Sequence, residues 1–133
     1  MTFAFTPSYV FDGANHDTAH ESYSSGDDIY DTYGISKVDI NTSFLTLYFT
    51  SSTTMSTWRG SDRSVVVNYP SGTESWEDTY DLTSNEEYSV NTSFNYIHYS
   101  WTDMGLSSTE KADLADTVSS AGTGTSVLTL TLS

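Results

Sequence analysis

Apolar and polar residues alternate with a period of two along much of this chain, the pattern of half-buried β-strands. The segment "TSVLTLTLS" (125–133) sets Leu128, Leu130 and Leu132 against Thr129 and Thr131. In "SWEDTYDLT" (75–83), Trp76, Tyr80 and Leu82 oppose Glu77, Asp81 and Thr83. "SVVVNY" (64–69) is a short β-branched run, stopped by the turn signal Pro70-Ser71-Gly72. Two longer segments read as long strands. "SKVDINTSFLTLYFT" (36–50) puts Val38, Ile40, Phe44 and Tyr48 on one face and Leu45, Leu47 and Phe49 on the other. "EYSVNTSFNYIHYSW" (87–101) puts Tyr88, Val90, Phe94, Tyr96 and His98 opposite Ile97, Tyr99 and Trp101. Apolar character on both faces of 36–50 marks a central strand, or one whose outer face meets a partner. "TFAFTPSYVF" (2–11) suits an edge strand, because Pro7 cannot donate to a ladder.

One stretch breaks the period. "LSSTEKADLADTVSSAG" (106–122) carries Ser107 and Glu110 at the spacing of a capping box. Leu114, Ala115 and Val118 follow at helical intervals, and Gly122 stands where a terminating glycine belongs. This predicts an α-helix over about 108–119. Many strands, one late helix and a last strand predict a single domain, 1–133. Its class is mainly β: a β-sandwich or partly closed β-barrel with the helix packed on one side.

The two long segments share the tetrapeptide Asn-Thr-Ser-Phe, at 41–44 and 91–94. At the same offset, Asp28, Tyr30 and Asp31 match Asp78, Tyr80 and Asp81. The segments thus resemble two copies of a strand-turn-strand unit. A chain that is a third Ser and Thr also produces such coincidences, and two long paired or stacked strands of one core explain the match as well. Both tetrapeptides fit the Asn-x-Ser acceptor of glycosylation, yet the pattern places them inside strands, and no secretory route is evident.

Composition narrows the function. There are 18 Asp and Glu residues against 4 Lys and Arg, a net charge of −14. Such a surface repels phosphates, which argues against nucleic-acid binding. An aromatic content of 14% argues for a packed core rather than an acidic disordered tail. Asp outnumbers Glu two to one and lysine is scarce, a composition that resembles proteins of extreme halophiles, where molar salt screens self-repulsion. The absence of cysteine excludes disulfides and thiolate metal sites. No apolar run is long enough to span a membrane. "MTFAFTPSYVFDG" lacks the pattern of a signal peptide, so the expected site of synthesis and assembly is the cytoplasm.

Few motifs carry chemistry. His16 and His20 in "DGANHDTAHES" (12–22) are four apart, which on a helix would aim both at one metal, but a polar loop between strands explains them better. Asp27, Asp28 and Asp31 gather in "GDDIYDTYG" (26–34) without the order of an EF-hand loop. No nucleophile elbow or phosphate loop is present. The chain is therefore expected to be non-enzymatic, with no cofactor and no catalytic or metal residues. Interface candidates remain. Arg59 and Arg63 in "WRGSDR" hold two of the four basic groups, suited to a neighbour's carboxylates or to an internal ion pair with Asp62 or a nearby strand. Trp58 and Trp101 are aromatics of the kind that exposed interfaces favour.

In size, strand pattern and composition the chain resembles the small all-β structural proteins of tailed viruses, with the composition of a virus of halophilic archaea. That resemblance implies a self-assembling virion subunit of the tail tube, neck ring or capsid turret or decoration. Its partners would be itself, as a symmetric homo-oligomer, and other virion proteins, with no direct nucleic-acid or membrane contact. "MTFAFTP" (1–7) and "TSVLTLTLS" (125–133) would be arms for strand exchange. The alternative is a carbohydrate- or surface-binding adhesion module using exposed Tyr and Trp. A metal-dependent enzyme using His16 and His20 is a third reading.

Overall fold

A computed structural model describes residues 1–6, 8–11, 17–69, 76–120 and 128–133. The strands are β1 (Thr2–Phe5), β2 (Ser8–Phe11), β3 (Asp17–Ser22), β4 (Ile35–Ile40), β5 (Phe44–Phe49), β6 (Ser64–Tyr69), β7 (Trp76–Asp81), β8 (Ser89–Asn91), β9 (Tyr96–Ser100) and β10 (Leu128–Leu132). The helices are α1 (Asp28–Tyr33), α2 (Ser52–Arg59) and α3 (Ser108–Ser120), with a 3₁₀ turn at Ser84–Glu86. The strands form a four-stranded sheet, β1-β10-β6-β7, and a six-stranded sheet, β2-β3-β4-β5-β9-β8. All pairings are antiparallel. Neither sheet closes into a barrel, so the expected mainly-β class holds in its sandwich form.

The alternation in β10 places Leu128, Leu130 and Leu132 in the core, beside Val65 and Val67 of β6 and Tyr80 of β7. The larger sheet contributes Val38, Ile40, Leu45, Leu47, Ile97 and Tyr99. These residues join one buried cluster. The N-terminal segment is two strands rather than one edge strand: β1 borders the smaller sheet and β2 the larger. Thr6 marks the crossing and is pinned by Glu21, whose carboxylate accepts from its backbone N–H (2.9 Å) and its hydroxyl (3.1 Å). Pro7 and the turn at 70–72 lie outside the described residues. The expected exchange arms pair with each other here, β1 on β10, and β10 lies inside its own sheet.

The predicted helix forms with its predicted cap. Ser107 Oγ accepts from the Glu110 N–H and Glu110 Oε1 accepts from the Ser107 N–H, both at 3.1 Å. Gly122 lies outside the described residues. Two further helices went unforeseen. α2 has its own capping box between Ser51 and Thr54, and it buries Met55 and Trp58. α1 is one short helix burying Ile29 and closed by Gly34 at φ 68°. Both are too short and too rich in Ser, Thr, Asp and Tyr to show a helical apolar stripe.

The two long strands are hairpins. In 36–50 the break falls at Asn41, whose Oδ1 accepts from the N–H groups of Ser43 (2.8 Å) and Phe44 (2.7 Å). In 87–101 Asn91 Oδ1 accepts from Ser93 (3.0 Å) and Phe94 (2.8 Å). Both tetrapeptides open with an Asx turn: Asn41 follows the end of β4, and Asn91 is the last residue of β8. Each turn also resets the alternation. Phe44 and Tyr48 therefore face away from the core that holds Val38 and Ile40.

Candidate functional site

The outer face of the six-stranded sheet carries the side chains between the core positions of β4, β5 and β9. They form a continuous run of rings. Tyr88 meets Phe44 at 5.0 Å, Phe44 stacks on His98 at 5.1 Å, and His98 meets Tyr96 at 4.8 Å. Tyr96 meets Tyr48 at 5.1 Å, and Lys37 Nζ lies 4.1 Å from the centre of the Tyr48 ring. Each contact adds a modest attraction to the area buried. Tyr88 is 61% exposed, and Phe94, in the turn before β9, is 73% exposed. No other large apolar side chain among the described residues is so exposed. The outer face of the smaller sheet differs: its cross-strand rows read Thr2, Thr131, Val66, Thr79 and Ala4, Thr129, Asn68, Glu77.

A polar row crosses the aromatic face. His20 of β3 pairs with Asp39 of β4, Asp39 with Thr46 of β5, and Thr46 with His98 of β9. Thr46 Oγ1 and His98 Nδ1 share a hydrogen bond of 2.7 Å, and Thr46 is buried. Asp39 Oδ1 is buried without a hydrogen-bond partner, and Lys37 stands 3.9 Å from Oδ2. Burial raises the Asp39 carboxyl above its ordinary range, against the pull of Lys37, Tyr48 and the two histidines. Burial lowers the His98 imidazole, with Asp39 opposing. It also raises the Tyr48 phenol, and the neighbouring Asp39 adds to the shift. The Thr46 hydroxyl, hydrogen-bonded to His98, is buried and not open to solvent.

The interface candidates sit elsewhere. Trp58 and Trp101 are core residues, 1% and 0% exposed, not surface aromatics. The Trp58 indole N–H donates to Tyr99 Oη (3.1 Å), and that of Trp101 to the Asn41 carbonyl (2.8 Å). Both belong to the single buried cluster of the described residues. Arg59 pairs with Glu87 through Nε at 2.8 Å and 3.0 Å. Arg63 Nε donates to the Trp58 carbonyl (3.0 Å), and its guanidinium lies 4.6 Å from the Trp58 ring and 5.4 Å from that of Tyr33. Among the described residues, Asp62 pairs with neither arginine.

The acidic cluster is the start of α1. Asp27 accepts from the Ser24 N–H and Asp31 from the Gly26 N–H. His20 lies on a strand, so its spacing from His16, itself outside the described residues, is not helical on the His20 side. No group of three metal-ligating side chains gathers among the described residues. The offset match between Asp28-x-Tyr30-Asp31 and Asp78-x-Tyr80-Asp81 is not structural, since the first is α1 and the second β7.

The sequence placed Tyr88, Val90, Phe94, Tyr96 and His98 on one face; Val90 instead lies opposite Ile97 and packs against the core, while Phe44, Tyr48 and Asp39 join Tyr88, Tyr96 and His98. Asn at the head of each tetrapeptide was the available signal, because it favours turns and resets the alternation. No protein-family model, curated protein or solved structure matches the chain.

Proposed function

We propose that this chain is a non-enzymatic assembly subunit, a virion structural protein of a halophilic archaeal tailed virus. The observation that carries the reading is the aromatic outer face of the six-stranded sheet, set against the Thr-rich face of the smaller one. An apolar patch of this kind, in a chain of net charge −14, is a surface to be covered. The virion part rests on size, all-β architecture and acidic composition. Partners are further copies of the chain in a ring, tube or turret, with other virion proteins beyond.

Light scattering in molar KCl, repeated after dialysis to low salt, tests this. Discrete oligomers in high salt that dissociate or unfold in low salt support the subunit reading. Replacing Tyr88 and Phe94 together by Ser would then dissolve them and leave a folded monomer. A stable monomer in both salts overturns it. The exposure of Tyr88 and Phe94 then favours a second reading, an adhesion module that stacks sugars on this face. Saturable quenching of tyrosine fluorescence by a polysaccharide would mark it.

A further inference from the structure

α1 and α2 meet at one end of the sandwich. They approach closely: a Cβ added to Gly34 would lie 2.5 Å from the Thr54 methyl. Between them opens a cleft of about 340 Å³. It is lined by Tyr30, Asp31, Thr32, Thr57, Arg63 and the almost fully buried Trp58, among others. The floor is held from behind, since the Tyr33 hydroxyl donates to the Leu132 carbonyl and the Trp58 indole to Tyr99.

Arg63 distinguishes this cleft. The chain has 18 acidic residues for 4 basic ones, yet among the described residues Arg63 forms no ion pair. Its Nε is committed to the Trp58 carbonyl and its plane is held against two rings. A clamped guanidinium loses little freedom on meeting a carboxylate. On its other side Asp62 and Asp81 border a second depression. That acidic surround, with the net charge of −14, disfavours a phosphate or a polyanion. A singly charged ligand suffers least. The hydroxyls and Asp31 suit a ligand rich in hydroxyl groups, and the volume is in the range of small-molecule sites.

We propose that this cleft binds one sugar unit carrying a single carboxylate, a uronic acid. The carboxylate meets Arg63, and the ring hydroxyls meet Asp31 and the threonine and tyrosine hydroxyls. This site is separate from the aromatic sheet face and does not depend on assembly.

The test is an amide and indole NMR titration of the intact chain with D-glucuronate, D-glucose and acetate at fixed ionic strength. The expected result is saturable shifts with glucuronate at Thr32, Thr54, Thr57 and the Trp58 indole, with binding at least about tenfold weaker for glucose and for acetate. Arg63→Gln should weaken glucuronate binding by about tenfold and leave the response to glucose unchanged. If Arg63→Gln does not fold, Thr57→Val on the exposed face of α2 should weaken glucuronate several-fold with the spectrum otherwise retained. The proposal is overturned by the absence of saturable shifts, by equal binding of acetate, or by shifts confined to the Tyr88 and Phe94 face.

Discussion

The two Asn-Thr-Ser-Phe hairpins, β4-β5 and β8-β9, begin from the same four residues and the same Asx hydrogen bonds, yet they differ in what surrounds the turn. In the first, Asn41 closes on Phe44, with its N–H donating to the Phe44 carbonyl (3.1 Å). In the second, Asn91 pairs with Tyr96, so the loop is two residues longer, and Asn95 takes φ 56°. The first turn is tied down by Trp101, through its indole to the Asn41 carbonyl and its backbone N–H to the Ser43 carbonyl. The second is tied through the Asn95 carbonyl, which accepts from the Phe49 N–H, and through Asn91 Nδ2, which donates to Tyr96 Oη (3.1 Å). Phe44 is consequently half-buried while Phe94 is exposed. A shared tetrapeptide sets a turn; the length of the loop and the neighbours decide whether its phenylalanine packs.

The hairpins also face each other. β5 pairs with β9 so that Leu47 lies opposite Ile97, its equivalent at the fifty-residue offset, and Thr46–His98 and Tyr48–Tyr96 flank them symmetrically. The equivalent strands β5 and β9 thus face each other about Leu47 and Ile97, while their hairpin partners are two residues out of step, Val38 lying opposite Leu47 and Val90 opposite Ile97. The recurrence is structural over the turns and β5 and β9, and α1 and β7 do not share it.

The largest expected effect removes the anchor that only the first turn possesses. Trp101→Ala should cost about 3–5 kcal/mol in urea unfolding, by cavity formation and loss of the indole bond to Asn41. A loss below about 1 kcal/mol would mean that the first turn holds itself. Next come the phenylalanines. Phe44→Ala should cost about 1–2 kcal/mol, whereas Phe94→Ala should stay within about 0.5 kcal/mol. Equal losses would erase the distinction between a packed and an open turn.

The asparagines give a smaller contrast. Asn41→Ala should cost about 1 kcal/mol, because the Phe44 N–H it satisfies is partly buried, and Asn91→Ala about half of that. Asn41→Asp keeps the acceptor and should restore most of the loss. The smallest effect is electrostatic. His98 of the second hairpin has its pKa lowered from 6.5 by burial. The unfolded chain therefore binds the extra proton first, and stability falls as pH drops through 6.5 toward the lowered value. Asp39 of the first hairpin, raised from 3.8, acts the other way: stability present below 3.8 is lost as pH rises through its folded value. His98→Gln should flatten the acid-side loss and Asp39→Asn the opposing one, as read from urea midpoints between about pH 4 and 8.

Period-two alternation made the mainly-β class legible, and β6, β7 and β10 form where it placed them. The Ser107–Glu110 cap made α3 legible, because a capping box is a local device that neighbours need not complete. The same locality explains the misses. α1 and α2 have no apolar stripe long enough to announce a helix, and they are held by Ile29, Met55 and Trp58 reaching the core. The tryptophans read as surface groups because sequence carries no burial for an isolated aromatic residue.

What the sequence determined by itself is what depends on neighbours along the chain: strand alternation, the helix cap, both Asx turns and the acidic charge. What only the tertiary structure decided is which strands pair and in which register. Register placed His20, Asp39, Thr46 and His98 in one row and gathered five rings on one sheet face. The contacts that join the two hairpins, Phe44 with His98 and Tyr48 with Tyr96, link residues about fifty positions apart. Their stability comes from surface buried between elements, and no short window of sequence contains both partners.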